Sequence, residues 1–130
     1  MAINSSGQTI TGNAPPFDAP RSKVGRVVFD ATSITAADHS VYSVGFTPRY
    51  VRFENITDRI AVEWFEGMAA DTCLKTAAAG TKTIETTNLG STTCDSDGTA
   101  NTSGRYFKVA QNATLAVIAA SKTCTWIASN

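Results

Sequence analysis

The sequence predicts an all-β protein, a two-sheet β-sandwich or jelly roll of about eight strands with an extended N-terminal arm. Three observations predict it. Charged residues make up only 17% of the chain, below the roughly 25% usual for soluble domains, and the excess of Thr, Ser and Asn suits β-surfaces and turns better than solvated helices. Apolar residues come in short runs, several with period two, separated by turn residues at the spacing of a sandwich or barrel. No real helix emerges from the pattern. With 130 residues the chain has room for one core.

Residues 1–23 are mostly Ser, Thr, Gly, Asn and Pro, and hold three of the four prolines, Pro15, Pro16 and Pro20, around a lone Phe17. Such a segment cannot bury enough apolar area to offset its own ordering entropy. It reads either as a frayed terminus or as an arm that orders on a neighbour, with Phe17 as an anchor between stiff prolines. The β domain is expected over residues 24–130.

Within it, Val24–Asp30 is the first expected strand. Thr35–Asp38 suits a single helical turn. Ser40–Phe46 is the second strand, ended by Thr47 and Pro48. Arg49–Asn55 alternates, with Val51 and Phe53 on one face and Tyr50, Arg52 and Glu54 on the other. Ile60–Glu66 repeats the pattern through Ile60, Val62 and Trp64, and Asn55–Arg59 reads as the hairpin connection between the two. Gly67 breaks that strand. Thr72–Thr76 and Thr81–Thr87 follow, split by Ala77–Gly80, a stretch too short for a helix. Residues 88–104 are almost all Gly, Ser, Thr, Asn and Asp and are expected to form a long exposed loop. Arg105–Val109, Thr114–Ala119 and Lys122–Ala128 are the closing strands. No repeat of fixed period appears, which argues against a propeller or solenoid.

Eleven basic and eleven acidic residues give zero net charge, so no whole-protein field draws in nucleic acid, anionic lipid or an acidic substrate. Near-zero charge also favours self-association. The longest apolar run, Leu115–Ala120, is far short of the roughly 18 residues that span a bilayer. Met1–Gly7 lacks the basic and apolar regions of a secretory signal, so with Met1 as the native start synthesis and first folding are expected in a reducing cytoplasm.

Catalytic constellations are sparse. His39 is the single histidine, and beside Asp38 and Ser40 in an expected turn it does not suit a triad, whose members must face one another. Glu54, Glu63, Glu66 and Glu85 lie in or beside strands, as glycosidase carboxylates do, but Glu54 falls opposite Val51 and Phe53, on the face expected to be solvated. Asp95-Ser96-Asp97-Gly98 resembles the start of a calcium loop, yet Tyr106 stands where the bidentate Glu is needed. Cys73, Cys94 and Cys124 lack the spacing of a zinc site. No enzyme and no cofactor are expected. The sequons at Asn4, Asn55, Asn101 and Asn112 are what a Thr- and Asn-rich composition produces by chance.

Two readings of the cysteines stand. They are three reduced, buried small hydrophobes, or an odd set with a bridge within or between chains. A Cys73–Cys94 bridge would close a loop of about 20 residues and contribute about 3 kcal/mol.

Pro48-Arg49-Tyr50-Val51-Arg52-Phe53-Glu54-Asn55-Ile56-Thr57-Asp58-Arg59, continued by Glu63–Met68, Leu74–Thr76, Leu115–Lys122 and Trp126, resembles small virion proteins of tailed bacteriophages over about half the chain. The resemblance implies a non-enzymatic capsid decoration (cement) protein on the outer head surface. It implies as partners the major capsid protein and copies of the chain itself, often as a homotrimer. Pro15, Pro16, Phe17 and Pro20 are the expected capsid contacts, with no nucleic acid or membrane involved. A tail, neck or fibre component is the alternative within the same class. From another class, a receptor- or glycan-binding module would stack a sugar on Trp64, Phe65, Tyr106 or Trp126.

Overall fold

The computed structural model describes residues 21–86 and 90–130. Among these residues there are nine strands and no helix. They are β1 (Ser22–Val28), β2 (His39–Ser43), β3 (Tyr50–Asn55), β4 (Ile60–Phe65), β5 (Cys73–Thr76), β6 (Lys82–Glu85), β7 (Ser91–Cys94), β8 (Tyr106–Ala110) and β9 (Thr123–Ser129). A large sheet runs β1-β9-β3-β4-β5-β6 and a small one β2-β8-β7. Every pairing is antiparallel. The chain changes sheet after β1, β2, β6 and β8, which makes a sandwich of two packed layers.

The β3–β4 hairpin shows why the alternation matters. Val51, Phe53 and Asn55 are buried while Tyr50, Arg52 and Glu54 are half-buried on the other face, as the period-two pattern predicts. Asn55 Oδ1 accepts the Asp58 amide at 3.0 Å, and Asn55 Nδ2 donates to Asp58 Oδ2 at 3.2 Å. This Asx-type turn places Arg59 at φ 60° and sets Asn55 opposite Ile60.

Aromatic contacts join the layers. The Tyr42 ring of the small sheet lies 5.5 Å from Phe53 and 6.0 Å from Trp126, both of the large sheet. Phe107 meets Trp126 edge-on at 5.0 Å, a geometry that the ring quadrupoles favour. Gly25 passes over the Trp126 indole so closely that a Cβ there would collide with the ring. This accounts for a glycine inside β1.

Three sequence expectations are corrected. Ser22 and Lys23, assigned to the arm, pair in β1 with Ser129 and Ala128. Thr114–Ala119 is not a strand: Ala116 N donates to Asn112 O and takes φ 62°, while Leu115, Val117 and Ile118 are fully buried. The run is a plug of core side chains carried on turns, and a short continuous apolar run does not distinguish such a plug from a buried strand. The expected loop over residues 88–104 instead contains β7, all four of whose residues are buried. Two of its hydroxyls are satisfied by main-chain carbonyls, Ser91 Oγ by Lys108 at 2.7 Å and Thr93 Oγ1 by Pro48 at 3.0 Å, which is what lets polar side chains enter a core.

Candidate functional site

Pro15, Pro16, Phe17 and Pro20 lie outside the described residues. Cys73, Cys94 and Cys124 are buried as thiols, with no bridge between them. Of the two readings, the bridge within the chain is the one corrected: Cys73 opens β5 in the large sheet, Cys94 ends β7 in the small one and Cys124 lies in β9. Burial pushes the Cys73 thiol up to about 12 and those of Cys94 and Cys124 to about 11, which keeps them protonated and unreactive.

His39 opens β2 and does not sit in the expected turn. Its Nε2 lies 3.3 Å from Asp71 Oδ1, and Lys108 Nζ lies 3.4 Å from the same oxygen. Neither Nε2 nor Oδ1 completes a hydrogen bond of good geometry, so the contact is electrostatic. Burial lowers the His39 pKa, Lys108 lowers it further, and Asp71 pushes back. The cluster ties the loop before β5 to the small sheet, and among the described residues no serine or threonine hydroxyl bonds the ring.

The carboxylates do not converge on a cleft. Glu54 and Glu63 share Arg52, at 3.2 and 3.3 Å, on the outer face of the large sheet, and Glu63 also accepts the Tyr50 hydroxyl at 2.7 Å. Glu66 pairs with Arg49 at 3.2 Å. In the calcium-like loop, Asp95 accepts from Asn101 and Asp97 from the Thr99 amide, both at 2.9 Å. The Thr99 amide holds the Asp97 carboxyl below its usual range. Among the described residues no group of three or more His, Cys, Asp or Glu is placed to hold a metal. Asn55, one of the sequon residues, is fully buried.

Two places remain as candidate sites. The first is a cleft of about 380 Å³ at the end of the sandwich, between β4 and β7, within the size range of small-molecule sites. Trp64, Thr47, Arg49, Glu66, Thr93 and Asn101 are among its walls. Trp64 is 5% exposed, and its buried Nε1–H has no acceptor among the described residues. The sequence put Trp64 in the core, which is correct, but nothing in period two shows that its polar edge goes unpaired.

The second is the outer face of the large sheet. Val24 is 71%, Val28 67% and Ile84 60% exposed, and Phe65 and Ile127 are also exposed. All five fall on the outward phase of their strands. Burying such side chains is worth roughly 1.5–3 kcal/mol each, which makes this face a candidate docking surface. The sequence reading missed it. A readable signal was β1, where Val24 and Val28 share one phase and Val27 the other, so both faces of the strand are apolar.

No family model, no curated protein and no solved structure matches the chain.

Proposed function

We propose that this chain is a structural virion protein of a tailed bacteriophage, a capsid decoration (cement) protein that binds the outer head lattice as an oligomer and stabilises it. The observation that carries the reading is the apolar outer face of the large sheet, with large side chains left in solvent on a chain whose candidate catalytic groups do not converge. A protein built this way is completed by neighbours. The resemblance of Pro48–Arg59 and the segments after it to phage virion proteins supplies the setting: partners are the major capsid protein and other copies of the chain, made in the host cytoplasm and carried on the head. The segment holding Pro15, Pro16, Phe17 and Pro20 supplies the lattice contact in this reading, since many copies on a fixed lattice convert a weak contact into avidity.

The test is the copy number per purified particle, by quantitative mass spectrometry, with and without residues 1–20. Hundreds of copies per head, falling when the segment is removed, support decoration. A few to dozens of copies mean a tail, neck or fibre part. Absence from particles overturns the reading, and unchanged occupancy removes the arm contact.

One observation favours a second reading, a glycan-binding module seated on the cleft. The unpaired Trp64 Nε1–H calls for an acceptor, and Arg49, Glu66 and Asn101 beside it are groups that bond sugar hydroxyls. A glycan array with no signal, together with unchanged tryptophan fluorescence on adding sugars, removes it.

A further inference from the structure

We infer that the outer face of the large sheet pairs with the same face of a second copy, about a two-fold axis lying along the strands between β3 and β4. The argument is the pattern of one row. Strand register aligns Val24, Ile127, Arg52, Glu63, Leu74 and Ile84 side by side across β1, β9, β3, β4, β5 and β6. In character the row reads apolar, apolar, positive, negative, apolar, apolar. Rotation by a half-turn about an axis through its middle lays Val24 on Ile84 of the second copy, Ile127 on Leu74, and Arg52 on Glu63. Every position then meets its complement. Such self-complementarity is what an isologous interface requires, and it commits the occupant to another copy of this chain.

The central charges fit as well. Arg52 and Glu63 are already joined at 3.3 Å within one copy. The two-fold brings the second pair over the first with opposite signs facing, which gives a four-membered alternation, while Glu54, held by Arg52 at 3.2 Å, falls opposite Ala61 of the second copy. In the next row Tyr50 and Phe65, whose rings stack at 5.0 Å, come to face Phe65 and Tyr50 of the second copy. On the other side Arg26 falls opposite Lys82. Both of these are exposed, edge-strand residues at the rim, where like charges are screened. Sheets packed face to face in this way keep their strands within about 30° of each other.

The inference rests on reading this face as an assembly surface, as the previous subsection does, and goes on to name the neighbour. Its test is separate from the particle count, since sedimentation velocity of the soluble full-length chain needs no head. Val24 and Ile84 are solvent-exposed, so Val24→Glu and Ile84→Lys leave the fold intact, as circular dichroism would check. The expected result is a wild-type dimer, with each variant alone dissociating about 100-fold more readily. The two variants mixed should recover a heterodimer, because Glu at position 24 of one chain meets Lys at position 84 of the other while the remaining contacts stay native. A wild-type monomer at the highest soluble concentration, whether the face is bare or covered by residues 1–20, overturns the inference. So does a trimer, a dimer indifferent to both substitutions, or a mixture that stays dissociated. Particles that incorporate the dissociated variants normally would leave the decoration reading standing without this pair.

Discussion

The two sheets are treated differently by the chain that connects them. The small sheet is covered on both faces. Its inner side packs on the large sheet through Tyr42 and Phe107, and on its outer side the turn after β7 folds back: Asn101 N reaches Thr93 O, Gly98 lies beside Val41, and Gly104 packs on the Cys94 carbonyl. Asp71 closes the same side over His39 and Lys108. The large sheet has an equally dense inner face around Val51, Phe53 and Trp126, but its outer face keeps Val24, Val28 and Ile84 in water. Apolar content alone did not decide which strands were covered. The path of the loops did, and among the described residues no loop folds over the outer face of the large sheet as one does over the small sheet.

The sharpest way to break this comparison is to truncate the same residue type on each side of the large sheet. Phe53→Ala removes a fully buried ring and should cost about 3–5 kcal/mol in urea unfolding. Next in size is Gly104→Ala, whose methyl would collide with the Cys94 carbonyl. Because backbone cannot move aside as a side chain can, about 1–3 kcal/mol is expected, with the turn over the small sheet becoming the first region to lose hydrogen-exchange protection. Phe65→Ala on the outer face touches chiefly the Tyr50 ring and should cost below about 1.5 kcal/mol, while weakening any pairing of copies. If Phe65→Ala costs as much as Phe53→Ala in the isolated chain, the outer face is already covered and the contrast fails.

A smaller effect is expected at His39. Its folded pKa lies below the ordinary 6.5, so as pH falls through 6.5 the unfolded chain binds a proton that the folded chain does not yet accept. The contribution of His39 is therefore fully present above 6.5 and is lost as pH drops from there toward the folded value. Urea midpoints compared at about pH 7.5 and about pH 5.5 should fall more for the parent than for His39→Gln; equal falls would show that folding does not lower the His39 pKa. Smallest of all is the thiol readout. With pKa values near 11 and 12, the thiols should resist a disulfide reagent in the native protein and react fully in denaturant, and rapid native labelling would expose an opening that the sandwich does not show.

The hairpin β3–β4 was readable because one face is core and the other is not, so its hydrophobic pattern and its turn residues agree. β7 was not readable for the opposite reason. Covered on both sides, Ser91, Thr92, Thr93 and Cys94 show no alternation, and their burial depends on carbonyls supplied by Pro48 and Lys108, far away in sequence. Leu115–Ile118 was misread as a strand because apolar content reports burial but not ladder pairing. At the candidate sites, the outward phase of Glu54, opposite Val51 and Phe53, was legible from spacing. The unpaired edge of Trp64 and the Val24–Ile84 row were not, since both arise from strand register across the whole sheet, which no local window contains.

The position of β9 has a further consequence, for the order in which the fold can be made. β9 follows every other strand in the chain, yet it lies between β1 and β3. The meander β3–β6 can form as it is synthesised, but β1 has nothing to pair with until the chain has been made through Ser129. Folding must therefore wait on a contact that closes about a hundred residues of chain, the kind of non-local step that places sandwiches in the millisecond-to-second range. Until that strand arrives, the apolar residues of β1 and the inner face of β3 stand open to other chains, and the rate of completing one strand sets how long the protein is vulnerable to aggregation.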